Sequence, residues 1–290
     1  MNKLFGVLFS ASVLTLSACS KQEAPKSETT TSTEAKVQTV TIASTGSDAD
    51  IWRYIATLPE TKQAGLKLEV KNFTDYVAMN TAVANKEIDL NAFQSYAYLV
   101  AFNGSNKDKI APIATTYLEP MGIYSSKVKK LEDFAQGATI AIPNDGANES
   151  RALLLLQSAG LVKLNANFDL VKGTPADIIE NSKKIVIKPI QMATAVRAKD
   201  EVDAIVLGNT LAMEGGLNVL KDSIYYEPVD QTTKMNVNVL AVADSRQNDE
   251  VLKKVGTLYH VPAVGKYVQE HFGGTKVDVN KPVSYLTESK

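Results

Sequence analysis

From Val37 onward, segments with the pattern of a strand alternate with segments with the pattern of a helix. VQTVTIAS (37–44) predicts a strand, DADIWRYIATL (48–58) predicts a helix, and the alternation continues to two helix-like stretches at 249–272. A short helix closed by a glycine is expected at 131–137. Strands that alternate with helices form α/β folds with largely parallel sheets. The sequence therefore predicts an α/β protein.

Two polar, proline-containing segments interrupt this pattern. TTYLEPMGIYSS (115–126) places a proline and a glycine between two strand patterns, and EPVDQTTKMNVNV (227–239) has a polar break before a strand. If the chain crosses between two lobes at both, residues 37–118 and 234–290 form lobe 1, and residues 119–233 form lobe 2. Two crossing strands make a hinge, and the cleft between lobes is a natural ligand site. The expected fold is therefore two-lobed, with a ligand cleft between the lobes.

The first 36 residues predict a lipid anchor and a tether. Residues 1–18 have the pattern of a secretory signal peptide, which is too short to remain as a membrane span. LSAC (16–19) resembles the bacterial lipobox, which implies cleavage before Cys19 and lipidation of this residue, the only cysteine in the chain. Residues 19–36 contain no large apolar side chain and are expected to be disordered. The alternative is an ordinary signal peptide with a chance cysteine.

Charge and residue counts argue against several classes of protein. The chain has 31 basic and 32 acidic residues and a net charge of −1, whereas a nucleic-acid-binding protein needs a basic face. One cysteine and two histidines, His260 and His271, are too few for a zinc site built from these residues. The sequence contains no convincing pair of nucleophile and base and no nucleotide motif. It therefore predicts a binding protein rather than an enzyme, with no cofactor, no metal and no nucleic-acid partner.

Polar and aromatic residues are expected to gather where the predicted strands end. In open α/β sheets, ligands bind beyond the carboxyl ends of strands and near helix N-termini. Eight residues are expected at this place: Tyr76, Phe93, Ser95, Tyr98, Asn148, Arg151, Asn209 and Asn238. Together they supply one fixed cation, several amides and aromatic walls.

Arg151 is the cation of this set, and its chemistry narrows the choice of ligand. A guanidinium is a planar fork that matches a carboxylate or a phosphate, and at the start of a helix the dipole also favours an anion. A phosphate would more often bring a Gly-rich loop or several cations, so a single carboxylate is the simpler match. Asparagine carbonyls can accept from an ammonium group, and the set as a whole suits an amino acid. The alternative is a surface salt bridge between Arg151 and Glu149 or Asp145.

The motifs NAFQ (91–94), PND (143–145), LLLLQ (153–157), NT (209–210) and FTDYV (73–77) surround these residues. With them, nearly the whole chain resembles the NLPA lipoproteins, which are methionine-binding components of bacterial ABC importers. The resemblance implies a two-lobed periplasmic-binding fold that takes methionine or a related amino acid, with an ABC permease and ATPase as partners. It also implies three roles: Arg151 holds the ligand carboxylate, Asn209, Asn238 and Asn148 hold its polar end, and Tyr76, Phe93 and Tyr98 line the side-chain pocket.

Two positions depart from the family pattern. Ser95 stands where methionine binders usually carry a histidine, and Asn236 stands where an aromatic residue is commoner. A serine removes a ring that could pack near a thioether, so we expect an altered preference for the ligand side chain. The folded part is expected in the cell envelope, in the periplasm or at the cell surface, anchored through the lipid on Cys19. The alternative function is that of a surface lipoprotein with an adhesin or structural role.

Overall fold

The structure is a computed structural model that describes residues 37–228 and 231–288. The predicted signal peptide (1–18), the predicted lipidation site Cys19 and the predicted tether (19–36) lie outside the described residues. Inside the two described ranges, no helix combines the length and the apolar character needed to cross a bilayer.

In these ranges the strands, numbered in chain order, are β1 (Gln38–Ser44), β2 (Leu66–Asn72), β3 (Leu90–Ser95), β4 (Ile110–Thr115), β5 (Tyr117–Leu118), β6 (Met121–Tyr124), β7 (Thr139–Pro143), β8 (Lys163–Leu164), β9 (Ile178–Glu180), β10 (Val186–Ile190), β11 (Ala204–Gly208), β12 (Tyr225–Tyr226), β13 (Asn238–Ala243) and β14 (Val277–Asp278). The helices are α1 (Gly46–Thr57), α2 (Pro59–Gln63), α3 (Tyr76–Ala84), α4 (Tyr96–Ser105), α5 (Gly146–Ser158), α6 (Met192–Ala195), α7 (Asn209–Glu214), α8 (Val219–Asp222), α9 (Glu250–Leu258) and α10 (Pro262–Phe272).

The strands build two five-stranded sheets, with the orders β2-β1-β3-β13-β4 and β10-β7-β11-β6-β12. The expectation of largely parallel sheets is wrong for two strands. In the first sheet β13 runs antiparallel to β3 and β4, and in the second sheet β6 runs antiparallel to β11 and β12. Each is the first long strand after the chain arrives from the other sheet. It therefore starts at the edge where the parallel strands end, and runs the opposite way.

The chain passes twice between the sheets. It leaves the first sheet after β4, passes through β5 and enters the second at β6, and it returns between β12 and β13. The crossings carry Glu119 and Glu227, each followed by a proline. The two sheets and their two crossings confirm the predicted α/β, two-lobed fold. The lobe limits, 37–118 with 234–290 and 119–233, stay a prediction.

Each sheet has its own apolar core. At the first sheet, Trp52 of α1 packs in one cluster with Ile42 and Leu240. At the second, α5 packs Leu153 and Leu156 into a cluster with Ile140, which explains the apolar run in LLLLQ. Since a packed core resists deformation, each lobe can move as a unit while the crossings bend.

The helix expected at 131–137 is only a single 3₁₀ turn, Leu131–Asp133. Nζ of Lys183 donates to the carbonyl oxygens of Glu132 and Phe134, at 2.6 and 3.0 Å. In a longer helix those carbonyls would accept from backbone N–H groups of the next turn. The lysine satisfies them instead, and the chain turns away after one turn.

Candidate functional site

A cavity lies between the lobes. Seven of the eight residues predicted from the sequence line it: Tyr76, Phe93, Ser95, Tyr98, Asn148, Arg151 and Asn238. The cavity adjoins a wider outer cleft, with which it shares residues of both lobes, among them Tyr76 and Thr210. The structure therefore brings together residues from five different helices and strands.

The three predicted aromatic residues form one wall of the cavity. The ring centroid of Tyr76 lies 5.1 Å from that of Phe93 and 6.1 Å from that of Tyr98, and the Phe93 and Tyr98 centroids are 5.9 Å apart. These are the tilted and edge-on distances that aromatic rings prefer. Burial raises the pKa of both tyrosine hydroxyls, which therefore stay protonated and able to donate.

Ser95 has a structural task as well as a place in the cavity. It ends β3 and caps α4, where its Oγ accepts from the backbone N–H of Tyr98 at 3.2 Å. Serine is a favoured residue at this position because a short side-chain oxygen can reach a free N–H of the first turn. The hydroxyl hydrogen has no acceptor among the described residues, so Ser95 can still donate into the cavity.

A buried amide network fixes the strand that carries Phe93 and Ser95. The side chain of Asn80 accepts from Asn91 at 2.8 Å and from Gln94 at 2.7 Å. These bonds explain why NAFQ combines amides with apolar residues in a buried strand. The three amide side chains therefore fix β3 on both sides of Phe93, and Gln94 also lines the cavity.

Asn238 lies opposite Ser95 in the pairing of β13 with β3. Its side-chain nitrogen faces the backbone carbonyl oxygens of Phe93 and Gln94, at 3.3 and 3.2 Å, because both neighbours are acceptors. This orientation leaves the amide oxygen available as an acceptor. The predicted neighbour Asn236 does not line the cavity, since its Nδ2 donates to Oε1 of Glu227 at 3.1 Å.

Arg151 does not lie at the start of its helix. Asp145 caps α5, so Arg151 is in the second turn, and the argument from the helix dipole fails. The alternative of a surface pair with Glu149 or Asp145 is also wrong. Arg151 is only 8% exposed, and its partner is Glu227 of the return crossing.

Glu227 accepts hydrogen bonds from one edge of the Arg151 guanidinium. Nε of Arg151 lies 2.9 Å from Oε1 and 3.0 Å from Oε2 of Glu227, and Nη2 lies 2.5 Å from Oε2. Nη2 also donates to the backbone carbonyl of Glu119 at 2.8 Å. Burial alone would lower the pKa of Arg151, but Glu227 raises it above the ordinary value, so the guanidinium stays charged. In the described part of the chain no partner is seen for Nη1, which keeps its two N–H groups for another acceptor.

The remaining predicted asparagines are held by carboxylates. Nδ2 of Asn148 donates to Oδ1 of Asp145 at 2.9 Å. Asn209, the predicted residue that does not line the cavity, is fully buried and donates to Oε2 of Glu119 at 2.9 Å and to Oγ1 of Thr275 at 3.1 Å. Its Oδ1 is buried and has no hydrogen-bond partner among the described residues.

A second buried ionic group borders the cavity beside Asn209. Nζ of Lys276 lies 3.0 Å from Oδ1 of Asp48 and 2.7 Å from Oε2 of Glu119, and it sits 4.1 Å from the centre of the Tyr117 ring. The Tyr117 hydroxyl donates to Asp48. Thr210 donates to Glu119 at 3.1 Å and accepts from Nζ of Lys276 at 3.3 Å, and the second bond joins the predicted lobes.

The two carboxylates of this group titrate differently. Burial raises the pKa of Asp48 to about 6, against the opposing effect of Lys276. Burial also acts on Glu119, but Lys276 beside it holds the pKa of that carboxyl below its usual value. Glu119 therefore stays ionised through the neutral range.

Sequence reasoning missed the carboxylates and the lysine that frame the cavity: Asp48, Glu119, Glu227 and Lys276. One signal was available, because both crossings begin with the dipeptide Glu-Pro. Nothing in the sequence marks Lys276, whose partner Asp48 is 228 positions away. Across the described ranges, no cluster of three or more His, Cys, Asp or Glu side chains is arranged to hold a metal ion.

The chain is similar to a known protein family in sequence and to solved structures in fold. The family model described as NlpA lipoprotein matches residues 40–280. Outer membrane lipoprotein 2 of Mannheimia haemolytica is 35% identical over 272 residues, which cover 94% of this chain and 96% of the relative.

Two solved structures share the fold. A nutrient-binding protein from Burkholderia cenocepacia, solved with bound methionine, has a TM-score of 0.78 and 34% identity, over 82% of this chain and 99% of that one. The substrate-binding protein of a methionine transporter from Streptococcus pneumoniae has a TM-score of 0.76 and 37% identity, over 83% of this chain and 95% of that one.

Proposed function

This chain belongs to the NlpA lipoprotein family, and from that membership we propose that it is a lipid-anchored substrate-binding protein of an ABC importer. Its ligand is methionine or a related amino acid, which it passes to a permease driven by an ATPase. The named relatives are lipoproteins and binding proteins rather than enzymes, which supports the same class for this chain.

One observation carries the proposal: a buried guanidinium and an aromatic wall line the same cavity between the two lobes. An amino acid with an apolar side chain has matching parts, a carboxylate and an extended apolar group. The enclosed position suits a binding protein, in which closing of the lobes around the ligand signals its presence to a partner.

We assign the ligand contacts as follows. Nη1 of Arg151 donates to the ligand carboxylate, because Nε and Nη2 already face Glu227 and Glu119. Nε and Nη2 of the guanidinium thus bind the carboxylate of Glu227, and the ligand carboxylate is bound through Nη1 alone. Asn148 and Asn238 contact the polar end of the ligand, and Tyr76, Phe93 and Tyr98 contact its side chain. Asn209, which was also predicted at the polar end, acts from behind the cavity surface by donating to Glu119.

Ser95 favours a ligand side chain that differs from that of methionine. Its hydroxyl hydrogen is available to the cavity, and a serine occupies less space than the histidine of related proteins. A bulkier or more polar side chain, or a methionine derivative with an added polar group, fits this wall better. Asn236 has no part in the preference, since it binds Glu227.

A ligand panel tests the function. Thermal shift and calorimetry with all amino acids, both enantiomers of methionine and short methionine-containing peptides should reveal at least one tight ligand with a free carboxylate and amine. Mass spectrometry of small molecules released from the purified protein gives an independent answer. If no amino acid or peptide binds, the transport function is wrong. L-methionine binding ten times tighter than all others would contradict only the altered preference.

The anchor has its own test, because it depends on residues outside the described ranges. Cys19→Ala should give a protein without acyl chains that is no longer retained by the membrane. Labelling of that variant with fatty acid would contradict the lipoprotein assignment, while calorimetry on the same variant should give unchanged ligand affinity.

A further inference from the structure

Glu119 lines the cavity beside Arg151, yet the sequence did not single it out. We infer that its carboxylate accepts a hydrogen bond from the ammonium group of the ligand, and that this contact makes a free amine a requirement for binding. The inference rests on the proposed function, and names the residue that selects an amino acid over a simple carboxylic acid.

The carboxylate of Glu119 is held in place but has room for one more donor. Oε1 accepts from Thr210 at 3.1 Å, and Oε2 accepts from Asn209 at 2.9 Å and from Lys276 at 2.7 Å. A carboxylate offers about four acceptor positions, so one remains, on Oε1. The three bonds orient the group before a ligand arrives, which lowers the entropy lost on binding.

The charges around the cavity leave one carboxylate unmatched. Five charged residues are buried here, each at most 8% exposed: Asp48, Glu119, Arg151, Glu227 and Lys276. Arg151 is matched by Glu227, and Lys276 is shared between Asp48 and Glu119. With three carboxylates and two cations, the group carries one negative charge above the pKa of Asp48. A ligand ammonium would balance that charge, whereas a ligand with only a carboxylate would add to it.

The outer cleft that leads to the cavity also has an excess of negative charge. The described residues that line the outer cleft include four carboxylates, Asp50, Asp75, Asp145 and Glu214, and two guanidinium groups, Arg53 and Arg197. Arg53 is itself paired with Asp50 at 2.7 Å. An excess of carboxylates along a cleft raises the local concentration of cationic groups.

A second acceptor lies next to Glu119. Oδ1 of Asn209 is buried and has no hydrogen-bond partner in the described ranges, and the residues on either side of it, Gly208 and Thr210, both line the cavity. A buried acceptor that lacks a donor is unfavourable unless a bound group supplies one. An ammonium group has three N–H donors, enough for Glu119 and Asn209 once the cleft has opened to admit it.

The test compares two probes by calorimetry: L-methionine and 4-(methylsulfanyl)butanoate, which is methionine without its amine. The wild-type protein should bind L-methionine about 100-fold tighter or more, since loss of a buried, charge-assisted contact typically has an effect of this size. In Glu119→Gln the ratio of the affinities for L-methionine and 4-(methylsulfanyl)butanoate should fall below about tenfold, mostly because L-methionine binds more weakly. Glu119→Asp keeps the charge and should restore part of this ratio.

Glu180→Gln is the matched control, because it removes one negative charge from an exposed residue that lines neither the cavity nor the outer cleft. In this variant the ratio of the two affinities should stay within about threefold of the wild-type ratio. An unchanged ratio in Glu119→Gln, or an equal loss in Glu180→Gln, would overturn the inference while leaving the transport function intact. If Glu119→Gln does not fold, the wild-type protein still tests the inference. A wild-type affinity ratio below about tenfold between L-methionine and 4-(methylsulfanyl)butanoate would also overturn it. A wild type that binds no amino acid would instead contradict the proposed function.

Discussion

Two buried ionic groups border the same cavity, and they differ in how their charges are matched. On one side Arg151 and Glu227 form a one-to-one pair with distances of 2.5 to 3.0 Å. On the other, Lys276 is shared by Asp48 and Glu119, so one carboxylate lacks a cation. The first group joins lobe 2 to the return crossing, and the second joins lobe 1 to the outgoing crossing.

The difference shows that a conspicuous residue need not be the one that sets the charge of a site. Arg151 stands out in the sequence as the cation of the expected pocket. In the fold, its charge is already balanced by a protein carboxylate. The charge left over belongs to the group around Glu119, so a zwitterion fits the cavity better than an anion does.

The largest expected effect comes from breaking the balanced pair. Glu227→Ala leaves Arg151 buried without a partner, and loss of one member of a buried pair typically lowers the free energy of unfolding by about 3–5 kcal/mol. Glu180→Ala is the control, since its pair with Lys163 is exposed and should contribute less than about 1 kcal/mol. Urea unfolding measures both. Equal losses in the two variants would mean that Arg151 gains nothing from Glu227.

Removing the cation should have a clear effect on binding. Arg151→Ala deletes the Nη1 contact and leaves the ligand carboxylate unpaired, so the affinity for L-methionine should fall about 100-fold, or about 2.7 kcal/mol. Arg151→Lys should restore little, because one ammonium cannot hold Glu227 and the ligand with the same geometry. Calorimetry on folded variants decides this. Unchanged affinity in both would limit Arg151 to holding Glu227.

Much of this comparison could not have come from the sequence. The alternation of strands and helices predicts the fold because it depends on neighbours along the chain. Most of the pocket residues could be placed because they lie at the end of a strand or shortly after it, as Tyr98 follows β3. The pairings could not be placed, because Arg151 and Glu227 are 76 positions apart and Glu119 and Lys276 are 157 apart. Such contacts exist only after both lobes have folded and met.

The group of Asp48, Glu119 and Lys276 should make the free energy of unfolding depend on pH. The pKa of Asp48 is raised to about 6 in the folded protein, from an ordinary 3.8. Between these values the folded protein keeps a proton that the unfolded chain has lost, so the contribution of Asp48 to stability falls as pH rises through this range. In Asp48→Asn this fall is absent. The difference in free energy of unfolding between wild type and variant should therefore decrease from pH 4 to pH 6, and a constant difference would contradict the raised pKa.

The smallest expected effect comes from Ser95, which lines the cavity and caps α4. Ser95→Ala removes the cap of α4, which should lower the free energy of unfolding by about 0.5–2 kcal/mol. Ser95→Thr keeps a capping hydroxyl and should recover most of that loss. Neither change touches the charges, so the preference for ligands with an amine should persist in both. A loss of that preference in Ser95→Ala would show that the two sides of the cavity are coupled.

Calorimetry of the wild-type protein with three ligands tests the central claim most directly: L-methionine, L-methioninamide, which lacks the carboxylate charge, and 4-(methylsulfanyl)butanoate, which lacks the amine. The group of Asp48, Glu119 and Lys276 has one carboxylate more than it has cations, Glu119 is its member that lines the cavity, and Arg151 is already paired. The ligand without an amine should therefore lose more affinity than the ligand without a carboxylate charge. If L-methioninamide instead loses more, Arg151 dominates recognition, and the assignment of the ligand ammonium to Glu119 is wrong.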